Sequence, residues 1–135
     1  RQGALEIKLP KMLQSKSFDL LKENGFVITD KNKNCLFLHN SHESMIHFVV
    51  KAMIFKILRE FGRAVGTEIE TRNGIADVID IDNLIVYEVE TAFNKRRLKE
   101  KLEQFKNFRD VFVINTKSLP DNLGELETFL RRNVA

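Results

Sequence analysis

The sequence predicts an α/β fold, a mixed sheet flanked by helices, and three observations predict it. Three strand-like runs, Val65 to Thr71, Ile75 to Ile81 and Leu84 to Thr91, are separated only by Asn73-Gly74 and Asp82-Asn83, which makes an antiparallel meander. A helical stretch opening at Asn94 then leads to the apolar run Asp110 to Asn115, and that connection is long enough to cross over to a parallel strand. A long apolar helix precedes the meander and an amphipathic one closes the chain. The expected core order is therefore helix, three strands, helix, strand, helix.

Two regions are expected: residues 1–40 as a helix-plus-hairpin extension and residues 41–135 as the core. In the extension, Pro10 to Glu23 has proline in its first turn, Met12, Leu13, Leu20 and Leu21 as apolar anchors, and Asn24-Gly25 as a stop, so a helix is expected. Phe26 to Ile28 and Cys35 to Leu38 flank the polar run Thr29 to Asn34 and read as a hairpin. This resembles the end of a winged-helix module, although residues 1–9 are too few for the missing helices. In the core, Ser41 is the expected N-cap of a mostly buried helix stopped at Gly62. The helix from Asn94 carries Leu98, Leu102 and Phe105 at helical spacing and is expected to reach about Phe108. Asp110 to Asn115 reads as a buried strand and Pro120 to Arg132 as the last helix.

A chain of 135 residues, 43% hydrophobic, can bury one core but not two sizeable ones. His47, Lys51 and Lys56 interrupt the longest apolar stretch, Met45 to Leu58, so no membrane span is expected. A single cysteine, Cys35, cannot form an internal disulfide, and no basic-then-apolar leader is visible, so a cytoplasmic setting is expected. The chain opens on Arg1 and not on Met, as a piece of a longer or trimmed protein would. A net charge of +3 and a pI of about 9.1 suit a polyanionic partner. More telling is where the charge lies: Lys95, Arg96, Arg97, Lys99 and Lys101 fall within seven residues. That run is either a solvated helix face or a grip on phosphate.

A two-residue turn at Asp82-Asn83 would pair Ile81 with Leu84, Ile79 with Val86 and Asp77 with Glu88. Strand alternation would put Asp77 on the face of Ile79 and Ile81, and Glu88 on that of Leu84, Val86 and Glu90. Like charges opposed across strands destabilise a sheet by something on the order of 0.2–1 kcal/mol. A divalent cation would reverse that sign, and oxygen-rich clusters are what Mg²⁺ or Mn²⁺ prefers. Such acids can also simply be solvated at a sheet rim or paired with Lys and Arg. Asp80 would replace Asp77 if the register slipped, and a two-residue Asn73-Gly74 turn would set Glu70 opposite Asp77.

The segment Gly74 to Asp80, with Asp77 in it, followed by Leu84 to Thr91 with Glu88-Val89-Glu90, resembles the active-site hairpin of the PD-(D/E)XK nuclease superfamily. That group includes restriction endonucleases, archaeal Holliday-junction resolvases and RecB-type exonucleases, and its αβββαβ core agrees with the order from Ser41 to Asn115. The resemblance implies a restriction endonuclease-like fold and a Mg²⁺- or Mn²⁺-dependent endonuclease that hydrolyses phosphodiester bonds in DNA, with selectivity for DNA structure as in the resolvases. It also implies that Asp77 and Glu88 bind the metal, with the carbonyl of Val89. Glu90 stands where the family usually has Lys, so it can take the attacking water or help with metal but supplies no positive charge. Lys95 or Lys99 is the expected replacement for that charge. The alternative is a nuclease-like domain that binds nucleic acid or a partner without cutting, or a regulatory α/β protein with no such role.

Glu43 shares a helical face with Ile46, His47, Val50, Ile54 and Ile57, and many family members carry a Glu near the metal on this helix, so Glu43 is a further metal-binding and catalytic candidate. A first-turn Glu is also what the helix dipole favours. Gln104 with Phe108 resembles the Q-x-x-x-Y element of RecB-type nucleases. With Lys95, Arg96 and Lys99, it is a candidate contact to DNA. Many relatives act as dimers, so a homodimer is a further expectation, although no segment marks an interface. His42 and His47 are five apart rather than four, which argues against a zinc pair on one helix face, and one of the histidines near Glu43 could contact phosphate. No glycine-rich phosphate loop is present.

Overall fold

The computed structural model describes residues 32–71 and 74–134. The expected helix Pro10 to Glu23 and the first hairpin strand lie outside these residues. The described elements are helix α1 (Met45–Glu60), strands β1 (Val65–Thr71), β2 (Gly74–Asp80) and β3 (Ile85–Glu90), helix α2 (Lys95–Gln104), strand β4 (Asp110–Asn115), a short 3₁₀ turn (Thr116–Ser118) and helix α3 (Leu123–Asn133). The strands form one sheet in the order β1-β2-β3-β4, antiparallel except for the parallel β3–β4 pair. The described residues are thus α/β, with a mixed four-stranded sheet flanked by three helices. No described helix is long and apolar enough to cross a membrane.

α1 forms because Val50, Ile54, Ile57 and Leu58 recur at helical spacing and are all buried. Its N-cap is Ser44, whose hydroxyl accepts the His47 N–H at 3.2 Å, and not Ser41. The helix starts late because Asn40 builds a turn of its own: its side chain accepts the His42 N–H at 2.7 Å and its carbonyl the Glu43 N–H at 3.2 Å. Glu43 therefore precedes the helix instead of standing in its first turn. Gly62, at φ 76, ends the helix. Asn94 caps α2 as expected, accepting the Arg97 N–H at 2.8 Å, but the helix stops at Gln104, four residues before Phe108. Asn122 caps α3, which begins at Leu123 and not at Pro120.

The β2–β3 register is the expected one, with Ile79 opposite Val86, but β2 ends at Asp80 and Leu84 takes φ 56, so the turn is wider than two residues. The β1–β2 register differs. Glu70 pairs with Ile75 and Thr71 with Gly74, a shift of two residues that places Glu68, and not Glu70, across from Asp77. Residues 35–38 form no strand; they run beside β1, where Thr67 donates to the Cys35 carbonyl and accepts the Phe37 N–H. β4 is an edge strand and only half-buried, where the sequence reading expected a buried one.

Each face of the sheet carries its own core. α1 and α3 pack Val50, Ile54, Leu58, Leu126 and Leu130 against Val65, Val78, Tyr87 and Val89. α2 sets Phe105 against Ile69, Ala76, Ile79 and Val86. Strict alternation would put Ile69 with Val65 and Ala76 with Val78, yet both belong to the opposite face. Both strands therefore invert their facing near Glu68 and Asp77. At that position the ladder lacks the Glu68 and Asp77 pair, and Glu68 adopts φ 50.

Candidate functional site

The inversion in β2 puts Asp77 between the two helical layers. The hydrogen-bond ladder with β3 is replaced there by side chains: the Asp77 N–H donates to Glu88 Oε2 at 2.6 Å, and the Val89 N–H donates to Asp77 Oδ2 at 2.7 Å. Asp77 and Glu88 are 8% and 1% exposed, and Glu90 follows at 9%. Three acids thus sit together at the open end of the hairpin, within reach of both helices.

From α1, His47 Nε2 approaches Asp77 Oδ2 at 3.4 Å while Nδ1 contacts Glu43 Oε2. The Glu43 carboxylate also accepts from Lys51 Nζ at 2.9 and 3.0 Å, and Lys51 reaches Glu68 Oε2 at 3.2 Å. Lys51 is fully buried on the apolar stripe of α1, a position that these two glutamates make tolerable. His39 Nδ1 closes the row on Glu68 Oε1 at 2.7 Å. From α2, Lys101 Nζ lies 2.8 Å from Glu88 Oε1 and 4.0 Å from Glu90 Oε2. Arg97 grips Glu90 with Nε at 3.1 Å and Nη2 at 3.3 Å.

Proton affinities follow from this packing. Burial, reinforced by the neighbouring Asp77 charge and only partly offset by Lys101, pushes the Glu88 carboxyl up to about 8. The Asp77 hydrogen bond is the main cause that raises His47 to about 9, against desolvation, so His47 is an imidazolium at neutral pH. Burial alone would raise Glu43, but the His39 N–H, Lys51 and His47 outweigh it and hold the carboxyl below its ordinary value.

The sequence-derived candidates separate into two groups. Asp77, Glu88 and Glu90 are brought together, and Glu43 joins them through His47. Lys95, Arg96 and Lys99 are exposed on α2 and are not the bases that meet the acids; Lys101 and Arg97 are. The lysine that reaches these carboxylates is Lys101, and not Lys95 or Lys99. Gln104 lies over the start of β2, where a Cβ on Gly74, at φ +131, would come within 2.8 Å of its Nε2. Lys51 and Glu68 carry no site signal in the sequence, and Arg97 and Lys101 stand out there only as members of the basic run. The spacing of Arg97, Lys101 and Phe105 by fours could have marked the inward face of α2.

Among the described residues, no group of three or more His, Cys, Asp or Glu side chains is arranged to hold a metal ion. Mg²⁺ is commonly held by only one or two carboxylates, with water and phosphate completing the shell. The Asp77 and Glu88 pair suits that demand: both are hard oxygen donors, and a bound cation would favour the ionised Glu88 carboxylate that burial and the Asp77 charge disfavour. Glu43 suits it less, being committed to Lys51 and His47. No family model, no curated protein and no solved structure matches this chain.

Proposed function

We propose that this chain is a Mg²⁺- or Mn²⁺-dependent nuclease domain of the PD-(D/E)XK type that hydrolyses phosphodiester bonds in DNA. The observation that carries the reading is the pair Asp77 and Glu88, opposed and buried at the open end of the hairpin with Lys101 at 2.8 Å. The order α1-β1-β2-β3-α2-β4 supports it. Asp77 and Glu88 would hold the cation, which supplies Lewis acidity toward phosphate and makes water a stronger nucleophile. Glu90, two residues further along β3, would orient an attacking water and take up its proton. Lys101 provides the positive charge that the family usually draws from the position of Glu90, and it does so from a neighbouring helix. His47, protonated and 3.4 Å from Asp77, fixes that carboxylate in place. Exposed Lys95, Arg96 and Lys99 with Gln104 contact the DNA backbone.

Cleavage of duplex, single-stranded and branched DNA by wild type and Asp77→Asn, with and without Mg²⁺ or Mn²⁺, tests the proposal. Metal-dependent cutting lost in the variant is the expected result. A wild type that cuts none of the three substrates with either metal rules it out. One observation favours a second reading, binding without cleavage: Glu88 and Glu90 already have Lys101 and Arg97 against them. In that case DNA binding persists without metal and survives Glu88→Ala.

A further inference from the structure

The Glu88 and Glu90 carboxyl groups are each already met by a protein cation, Lys101 at 2.8 Å from Glu88 and Arg97 at 3.1 Å from Glu90. The end of the hairpin on this side therefore already carries a cation against each carboxyl group. A divalent cation entering beside Glu88 overfills it with positive charge unless the protein cations turn elsewhere. Both have somewhere to turn. They stand one helical turn apart on α2 and line, with Gln104, Lys106, Asn107 and the two acids Glu100 and Glu103, an open groove of about 570 Å³. The Arg97 side chain is 37% exposed, and its guanidinium already spans Glu90 and Glu100, the latter at 3.4 Å. A guanidinium that grips a carboxylate through two nitrogens matches a phosphate equally well.

We infer that Arg97 and Lys101 form an exchangeable phosphate site: they sit against Glu90 and Glu88 in the free protein and pass to a nucleic-acid phosphate when a divalent cation arrives. Resting on the nuclease reading above, this predicts that cation and nucleic acid bind cooperatively and that Arg97 opposes the cation in the absence of nucleic acid. Lys101, the more buried of the two, is the tighter competitor at Glu88, and Arg97 the more readily displaced.

Calorimetric titration of Mn²⁺ into the protein, with and without a phosphorothioate-linked DNA duplex, reads both effects without turnover. The duplex is expected to tighten Mn²⁺ binding about tenfold, and Mn²⁺ to tighten duplex binding by the same factor. Direct contact between phosphate and cation would also produce coupling, so Arg97→Ala is decisive. Without duplex it should bind Mn²⁺ about threefold more tightly than wild type, and the duplex effect should shrink. Lys56→Ala, which removes an exposed charge paired with Glu60 on α1, should leave Mn²⁺ affinity unchanged. Lys101→Met is the second variant, expected to tighten Mn²⁺ binding further. Equal Mn²⁺ affinity in wild type, Arg97→Ala and Lys101→Met overturns the exchange while leaving the nuclease reading standing, provided Asp77→Asn has lost the cation. Absence of Mn²⁺ binding in wild type overturns both.

Discussion

At the closed end of the β2–β3 hairpin, Asp80 and Asp82 are 0% and 8% exposed, much like Asp77 and Glu88 at its open end, yet the two pairs keep different company. Asp80 takes Arg63 at 2.8 Å and the Asn83 N–H and side chain at 3.1 Å; Asp82 accepts the Ala64 N–H at 2.8 Å. These partners belong to the turn itself or to the link between α1 and β1, so the acids pin local chain geometry. Asp77 and Glu88 instead meet an imidazolium from α1 and an ammonium from α2. Charges on separate helices can be replaced without unmaking a turn. Burial alone does not distinguish the two pairs of acids; the origin of the countercharge does.

The same conservative change at each end breaks the comparison most sharply. Asp77→Asn keeps an oxygen for the Val89 N–H but removes a charge beside Glu88, so metal-dependent cleavage should fall on the order of 10³-fold, the scale of losing a transition-state charge stabiliser. Its urea midpoint should fall less than that of Asp80→Asn, because relief of the Glu88 carboxyl offsets the lost His47 pair. Asp80→Asn leaves Arg63 beside a neutral group and should cost about 3 kcal/mol in urea unfolding. If Asp77→Asn proves the less stable of the two, the distinction between the ends collapses.

Changing pH sharpens the contrast next. Glu88 and His47 both hold protons more tightly folded than unfolded. The Glu88 contribution is complete below its ordinary 4.5 and lost as pH rises through about 8; that of His47 is complete below 6.5 and lost through about 9. Tm should therefore decline between pH 6.5 and 9. Glu88→Gln should flatten the lower part of that decline and His47→Gln the upper part. Saturating Mg²⁺ should flatten it as well, since a cation favours the ionised carboxylate. A Tm that rises across this range contradicts the electrostatics described for the open end.

Smaller effects probe the α2 side. Gly74→Ala forces a side chain onto φ +131 and into Gln104, for an expected cost of about 1–3 kcal/mol by denaturant titration. Gln104→Ala in that background should relieve the clash but not the backbone strain. Lys99→Ala should change stability by less than about 0.5 kcal/mol and lower the salt slope of DNA binding by about one. An unaltered slope would remove Lys99 from the interface.

By itself the sequence determined the element order, the β2–β3 register and the three acids at one end of the hairpin. Local rules suffice for these: Asn94 caps its own helix, Gly62 stops one, and Asp82-Asn83 closes a hairpin whose apolar residues fix the pairing. Local rules failed where two nearby groups competed for the same role. Ser41 and Ser44 can both cap α1, and Asn40 decided between them. The turn about Asn73-Gly74 admitted a register two residues away, and a shift of two keeps every side chain on its face, so alternation could not reveal it.

Only the tertiary structure decided which bases answer the acids. Arg97, Lys99 and Lys101 lie in one basic run, and selecting the inward pair requires knowing how α2 turns over the sheet. The inversion of β1 and β2 at Glu68 and Asp77 is likewise invisible to a period of two, because it breaks that period. It sets Asp77 between α1 and α2, and so brings residues far apart in the chain, from Glu43 to Lys101, into one electrostatic network whose long-range contacts no sequence spacing encodes.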